Sequence, residues 1–201
     1  MVSETTKPTG GPKVPLVIRL VLAIVLGAIV GVVLGPRAAI LGELGVPGTA
    51  FVAPGLLVGK GAPDFHATRP FLSMPEVRAL RDAGFTIGSH ALTHAPLASL
   101  SHAASLHELR ESRRILEQEL GEPVRLLAYP FGTRRTVSAR DHQLAEQAGY
   151  EAAFLDMTAP LRRGQPLWAL PRSKVLHVDA PAVVRSTLSG RLDLWHLVES
   201  R

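Results

Sequence analysis

The stretch PEVRALRDAGFTIGSH, residues 75–90, places a helix signal directly before a strand signal. Pro75 stands at the start of the helical pattern and Gly84 at its end, as is typical of helix termini. The segment FTIGSH then predicts a strand that leads into His90, and His94 follows four residues later. A helix followed at once by a strand is the repeating unit of α/β folds.

The same alternation continues in both directions along the chain. Strands are predicted at TAFVAP (49–54), VRLLAYPFG (124–132) and YEAAFLD (150–156). Helices are predicted at RAAILGELG (37–45), SLHELRESRRILEQELG (105–121) and VSARDHQLAEQAG (137–149). In the longest of them, one apolar face is formed by Leu106, Leu109, Leu116 and Leu120. Alternation at this spacing predicts an α/β fold in which parallel strands, as an open sheet or a barrel, carry helices on the outside.

The composition limits the classes of function. A chain of 201 residues with 46% hydrophobic and 19% charged residues is long and apolar enough for one folded domain and an appendage. The net charge of +5 favours contact with an anionic surface, and an ordinary basic surface is the alternative. Because the Lys and Arg residues are scattered without stacking aromatics, we expect no nucleic-acid partner. With no cysteine, a transition-metal site must use His, Asp or Glu.

The first 35 residues differ in character from the rest. Residues 1–13 are polar and predict a flexible tail, whereas residues 14–35 are apolar except for Arg19 and are long enough to cross a bilayer. We expect an uncleaved transmembrane helix; a cleaved signal peptide and a buried soluble helix are the alternatives. More basic residues precede this run than closely follow it, which predicts a single-pass membrane protein with a cytoplasmic N-terminus and an extracytoplasmic remainder.

The apolar run also carries a candidate dimer contact. Gly27, Gly31 and Gly35 fall on one helix face, where a second helix could approach closely, although glycine is common in membrane helices in any case. The expected organisation is a tail (1–13), a transmembrane helix (14–35), an α/β domain (36–178) and a C-terminal helical extension (179–201).

Chemistry is expected where the strands end. In parallel α/β folds, functional side chains gather at the carboxyl edge of the sheet, and GSHALTH, YPFG and Asp156 each follow a predicted strand. Two histidines four apart, on one side of a helical turn, could bind one Zn²⁺. The H-E-x-x-H motif of metalloproteases is absent, because Ala91 stands where its Glu would be. On spacing alone, His90 and His94 are either ligands or capping and surface histidines.

The order of these segments resembles a known family. GFTIGSHALTHAPLASLS, the Leu-rich helix, GEPVRLLAYPFGTRR, a second helix, AGYEAAFLDM and LPRSKV occur as they do in polysaccharide deacetylases, the NodB-homology family, in its YPFG branch. The resemblance implies a distorted (β/α) barrel and metal-dependent removal of acetyl groups from polysaccharide or peptidoglycan. In such a site a divalent metal, expected to be zinc, activates a water, a carboxylate accepts its proton, and an acid protonates the departing amine.

The resemblance also assigns roles to residues of this chain. His90 and His94 would be the metal ligands, and the Tyr129 N–H would help to stabilise the oxyanion. Arg172 would supply a guanidinium to the site. The groove would be shaped by Pro130, Phe131 and Gly132.

One motif of the family has no counterpart. The family's T-F-D-D-G motif supplies the base and a third metal ligand, but the six Asp residues of this chain include no adjacent pair, and the apolar run stands where the first strand would be. The barrel is therefore expected to be incomplete. Asp156 and Asp64 are candidate substitutes for the base. His177 is a candidate for the acid, and His196 is another.

Three hypotheses remain open from the sequence. The chain is a membrane-anchored, metal-dependent deacetylase of slow rate, an inactive glycan-binding or membrane-anchored pseudoenzyme, or a truncated gene product.

Overall fold

The computed structural model describes residues 48–58, 72–172 and Ser186. Several predicted features lie outside these residues: the tail, the apolar run with Gly27, Gly31 and Gly35, the helix at 37–45 and the extension at 179–201. Within the part of the chain that is described, no helix is long and apolar enough to cross a membrane.

Four short parallel strands form the centre of the fold. They are β1 (Thr49–Val52), β2 (Thr86–Ser89), β3 (Leu126–Ala128) and β4 (Ala152–Phe154), hydrogen-bonded in the order β1-β2-β3-β4. The predicted parallel α/β sheet is therefore confirmed. Because neighbouring strands run in the same direction, their carboxyl ends meet at one edge. These four strands would form part of the predicted barrel. That the sheet closes into a barrel stays a prediction.

Within residues 48–58 and 72–172, four helices connect and cover the strands. They are α1 (Pro54–Leu57), α2 (Met74–Asp82), α3 (His102–Leu120) and α4 (Ala139–Gln147). Capping boxes at Ser73 and Ser138 begin α2 and α4, and the Ser101 hydroxyl accepts the Ala104 N–H at the start of α3. Gly121 ends α3 in the left-handed conformation at φ 70°. Single turns of 3-10 helix lie at Leu97–Ser99, between β2 and α3, and at Leu167–Ala169, after β4.

The predicted apolar face of the longest helix packs into the core. Leu109, Leu116 and Leu120 of α3 are buried, and Leu106 is partly buried beside them. They contact a cluster built from the strands and the other helices, which includes Val77, Leu80, Phe85, Ile87, Leu127, Tyr129, Leu144 and Tyr150. The helical periodicity of the sequence thus identified the buried side of α3 correctly.

The strands are shorter than the apolar runs that predict them. β3 stops at Ala128 although the run continues to Gly132, because Pro130 has no N–H to offer and Phe131 adopts φ 60°. β1 stops at Val52, and Pro54 opens α1 instead of extending the strand. Both early ends leave polar backbone and side chains at the carboxyl edge.

We predict that Leu116→Ala lowers the free energy of unfolding by about 2–5 kcal/mol, because a fully buried leucine leaves a cavity when it is truncated. Arg110→Ala, on the exposed side of the same helix, should change it by less than about 0.5 kcal/mol. Urea denaturation followed by circular dichroism measures both, and equal effects would contradict the packing described for α3.

Candidate functional site

The sheet fixes the first histidine through two hydrogen bonds. The His90 N–H donates to the Val52 carbonyl at 2.8 Å, which continues the β1–β2 ladder by one residue. The His90 Nδ1 lies 2.6 Å from the Ala128 carbonyl oxygen. Since a carbonyl oxygen only accepts, Nδ1 must carry the proton, and Nε2 keeps its lone pair. Burial of the imidazole, together with the neighbouring His94, lowers the pKa of His90 to about 3. The ring is therefore neutral in the tautomer that ligates through Nε2.

The second histidine lies against the first. The ring centroids of His90 and His94 are 4.8 Å apart, with the rings inclined at 67°, and the Phe131 ring lies 4.8 Å from His94 on another side. His94 is buried, at 7% exposure. The four-residue spacing thus does bring the two imidazoles together, which the sequence predicted for the pair.

The backbone that brings them together is not the predicted helical turn. Ala91 and His94 have φ values of 59° and 63°, in the left-handed region that residues other than glycine rarely adopt. The Gly55 N–H of α1 donates to the Leu92 carbonyl at 2.8 Å, so this carbonyl bonds to another element and not within a helical turn of its own segment. The helical turn was therefore a wrong expectation, and tertiary hydrogen bonds set this segment.

A carboxylate that the sequence analysis did not single out holds the same segment. Glu108 of α3 is buried, at 8% exposure, and one of its oxygens, Oε2, accepts the N–H groups of Leu92 and Thr93 at 2.9 and 2.8 Å. Its Oε1 accepts the Thr93 hydroxyl at 2.7 Å. The signal that could have found Glu108 is its spacing, because it falls on the buried face of α3 next to Leu109.

The segment YPFG forms the neighbouring wall. The Tyr129 N–H donates to the Phe154 carbonyl at 3.0 Å, as part of the β3–β4 ladder. This N–H is occupied, so the oxyanion role predicted for it is not supported. The Tyr129 hydroxyl donates to the Trp168 carbonyl at 3.1 Å, and burial, with a contribution from Asp141, raises the pKa of Tyr129. Tyr129 is therefore a structural residue of the core.

The turn after this segment touches the end of β4. Gly132 has φ 57°, and its carbonyl accepts the Asp156 N–H at 2.9 Å. A side chain on Gly132 would collide with the Asp156 backbone nitrogen, because the two backbones are in contact there. Pro130 is buried beneath this turn. Predicted groove residues and the predicted substitute base are thus in direct contact.

A buried guanidinium joins the same region. Arg172 is 6% exposed, and its charged group lies over the Phe51 ring, 5.8 Å from the centroid. Burial lowers the pKa of Arg172, and the charge of Asp156 opposes that shift. Arg172 also acts electrostatically on His90, whose pKa it lowers. Within the described part of the chain, the Arg172 Nε has no hydrogen-bond partner.

The donors present fit a metal only in part. His90 and His94 could supply two imidazole nitrogens, but residues 48–58 and 72–172 contain no group of three or more His, Asp or Glu side chains that could hold a metal. Asp64, His177 and His196 lie outside the described residues. A pair of neutral imidazoles without an anionic ligand is short of the three protein ligands that catalytic zinc sites use.

We predict that Gly132→Ala destabilises the fold more than Gly121→Ala. Both glycines have positive φ, at 57° and 70°, so both substitutions carry the backbone cost of about 1–2 kcal/mol. Only the Gly132 side chain meets neighbouring backbone, which should add about 1–3 kcal/mol, whereas nothing lies within 4 Å of the new carbon at Gly121. Chemical denaturation gives the difference, and similar losses would show that the Gly132–Asp156 contact is not tight.

Comparison with known proteins relates this chain to a protein family. The polysaccharide deacetylase family profile matches residues 37–153 of the chain. YxkH of Bacillus subtilis (strain 168), a protein of the polysaccharide deacetylase type, is 23% identical over 138 residues, which cover 68% of this chain and 44% of YxkH. The chain therefore spans less than half the length of this relative.

Solved structures show the same fold. The deacetylase PplD of Streptococcus pyogenes, in complex with acetate, superposes with a TM-score of 0.64 at 19% identity, over 75% of this chain and 62% of PplD. A CE4-family pseudoenzyme of Bacillus anthracis superposes with a TM-score of 0.51 at 16% identity, over 85% of this chain and 57% of the pseudoenzyme. A mutant of that pseudoenzyme has restored enzymatic activity. The fold is thus shared by active and inactive proteins.

Proposed function

This chain belongs to the polysaccharide deacetylase family, and we propose that it acts on acetylated cell-wall or extracellular glycans, removing acetyl groups slowly. The observation that carries this proposal is the His90–His94 pair at the carboxyl edge of the parallel sheet, with ring centroids 4.8 Å apart and the Nε2 of His90 kept as a lone-pair donor. Such a pair is the part of a deacetylase site that this chain holds.

The site is proposed to bind a divalent metal, with zinc the preferred candidate, through His90 and His94. Imidazole nitrogens are among the ligands that zinc takes in proteins. The tautomer of His90 favours binding, because no proton has to leave its Nε2 first. Because the described residues group no carboxylate with the pair as a third ligand, we expect the affinity to be low.

The remaining residues are proposed to bind the glycan and its acetyl group. Phe131 packs against His94 and follows β3, so its ring forms a wall of the groove. Arg172, whose guanidinium lies over the Phe51 ring, is the candidate for the guanidinium that the resemblance implies at this site. Asp156, held beside Gly132, is the candidate for the proton acceptor in place of the absent Asp pair.

The alternative is a pseudoenzyme that binds glycan without hydrolysis. It is favoured by one observation, that none of the six Asp residues has an Asp neighbour, so the chain lacks the adjacent carboxylates that the family resemblance leads one to expect. In either case we propose that residues 14–35 anchor the chain in a membrane, with the N-terminus in the cytoplasm and the α/β domain outside. Dimerisation through Gly27, Gly31 and Gly35 remains part of that proposal.

We predict that the chain binds zinc weakly, and that His90→Ala and His94→Ala each abolish the binding heat in a calorimetric titration. His107→Ala removes an exposed histidine from α3 and should leave the binding unchanged. The same affinity in all four proteins would remove His90 and His94 from the site.

We predict slow acetate release from acetylated chitooligosaccharide in the presence of zinc, because loss of a general base costs about 10²–10⁴-fold in rate. PplD, assayed in parallel, provides the reference. Release at the PplD rate would contradict the prediction. If acetate release at the PplD rate were lost in Asp156→Asn, Asp156 would be the base. No acetate release from the unaltered chain would favour the pseudoenzyme.

A further inference from the structure

The longest helix places polar side chains where a core helix normally has apolar ones. Ser105, Glu108 and Ser112 of α3 are buried, at 0%, 8% and 0% exposure. Their spacing of three and four residues puts them on the same side of the helix as the buried Leu109 and Leu116. Burying a polar group costs free energy unless it finds a hydrogen-bond partner. The partners of these three side chains therefore indicate their role.

Each of the three side chains has a partner in the segment that carries the histidines, and Ser105 also accepts a bond from Arg140. The hydroxyls of Ser112 and Ser89 are 2.7 Å apart, and the Ser105 hydroxyl donates to the Leu97 carbonyl at 3.0 Å. Glu108, between them on the helix, contacts Leu92 and Thr93, which lie between Ser89 and Leu97 in the chain. The helix therefore holds the segment 89–97 at three successive levels.

Glu108, the middle of the three contacts, binds the part of the segment whose backbone conformation is least favourable. The Glu108 carboxylate takes the N–H groups of Leu92 and Thr93 and the Thr93 hydroxyl, at 2.7–2.9 Å. These two residues stand between Ala91 and His94, the two residues of the segment with left-handed φ values. Such φ values persist in residues other than glycine only where surrounding contacts hold them. The geometry points to the carboxylate as the group that holds this turn.

We propose that Glu108 is a positioning residue for the histidine pair: its carboxylate fixes Leu92 and Thr93 so that the turn delivers the His94 ring against His90. The inference deepens the proposed function, on which its metal readout rests. Metal sites depend on such outer contacts, and their loss typically weakens metal binding by about 10–100-fold.

The test compares Glu108→Ala and Glu108→Gln in the full chain in detergent micelles. Glutamine can satisfy the same donors, because its amide oxygen can accept both N–H groups and its NH₂ can donate to the Thr93 hydroxyl oxygen. We expect Glu108→Ala to weaken zinc binding about 10–100-fold, to shift the His94 ring signals in NMR spectra of the metal-free protein, and to speed amide exchange at Leu92 and Thr93. Glu108→Gln should restore all three.

The matched control separates positioning from general stability. Leu116→Ala destabilises the same helix about 12 Å from Glu108 along its axis, and should leave the His94 signals and the zinc affinity as they are in the unaltered chain. If Glu108→Ala behaves like Leu116→Ala in both readouts, the proposal is overturned. Should Glu108→Ala fail to fold, Thr93→Val, which removes one of the three bonds, must still shift the His94 signals, and unchanged signals would overturn the proposal too.

The metal-free readouts keep the two proposals distinguishable. If the unaltered chain binds no zinc, the metal site proposed above fails, while the His94 signals and the amide exchange still decide the role of Glu108.

Discussion

Parallel pairing of four strands in chain order is the constraint on which the site depends. Two of the three ladders continue one residue beyond their strands: the His90 N–H donates to Val52, and the Tyr129 N–H donates to Phe154. Because all strands point the same way, the segments that follow them start side by side at one edge. The Ala128 carbonyl at the end of β3 can then accept Nδ1 of His90 from β2, and it sets the tautomer of that ring.

The charges at this edge follow from burial. The two imidazoles are closely packed, and burial lowers the pKa of His90, so the His90 ring carries no charge near neutral pH. The buried Arg172 is balanced by the nearby Asp156 and stacks on Phe51. Among the described residues, the Arg172 guanidinium supplies positive charge to this edge, and its charge is felt at His90. An adjacent carboxylate pair would make it far more attractive to a divalent metal, which is the chemical difference between this chain and the motif that its resemblance leads one to expect.

Regular elements could be predicted from the sequence, and irregular ones could not. The strand after Gly84, the helix with Leu109 and Leu116 on one face, and the parallel arrangement were all correct, because local periodicity and terminal Pro and Gly residues record which backbone is favoured. The turn between His90 and His94 was predicted as helical and is not, since its hydrogen bonds go to Gly55 and Glu108, which are distant in the chain. The oxyanion role was expected for the Tyr129 N–H because its hydrogen-bond partner, the Phe154 carbonyl of another strand, cannot be identified from the neighbouring sequence.

The sequence by itself determined the class of fold, the side of the longest helix that faces the core, and the two histidines as a pair, because these follow from residue type and spacing along one segment. Only the tertiary structure decided how the pair is held. The tautomer of His90 depends on a carbonyl in another strand, the turn that carries His94 depends on Glu108 in a helix, and the place of Asp156 depends on a backbone contact with Gly132. Each of these is a hydrogen bond between residues far apart in the chain, and such bonds have no periodicity from which a sequence could predict them.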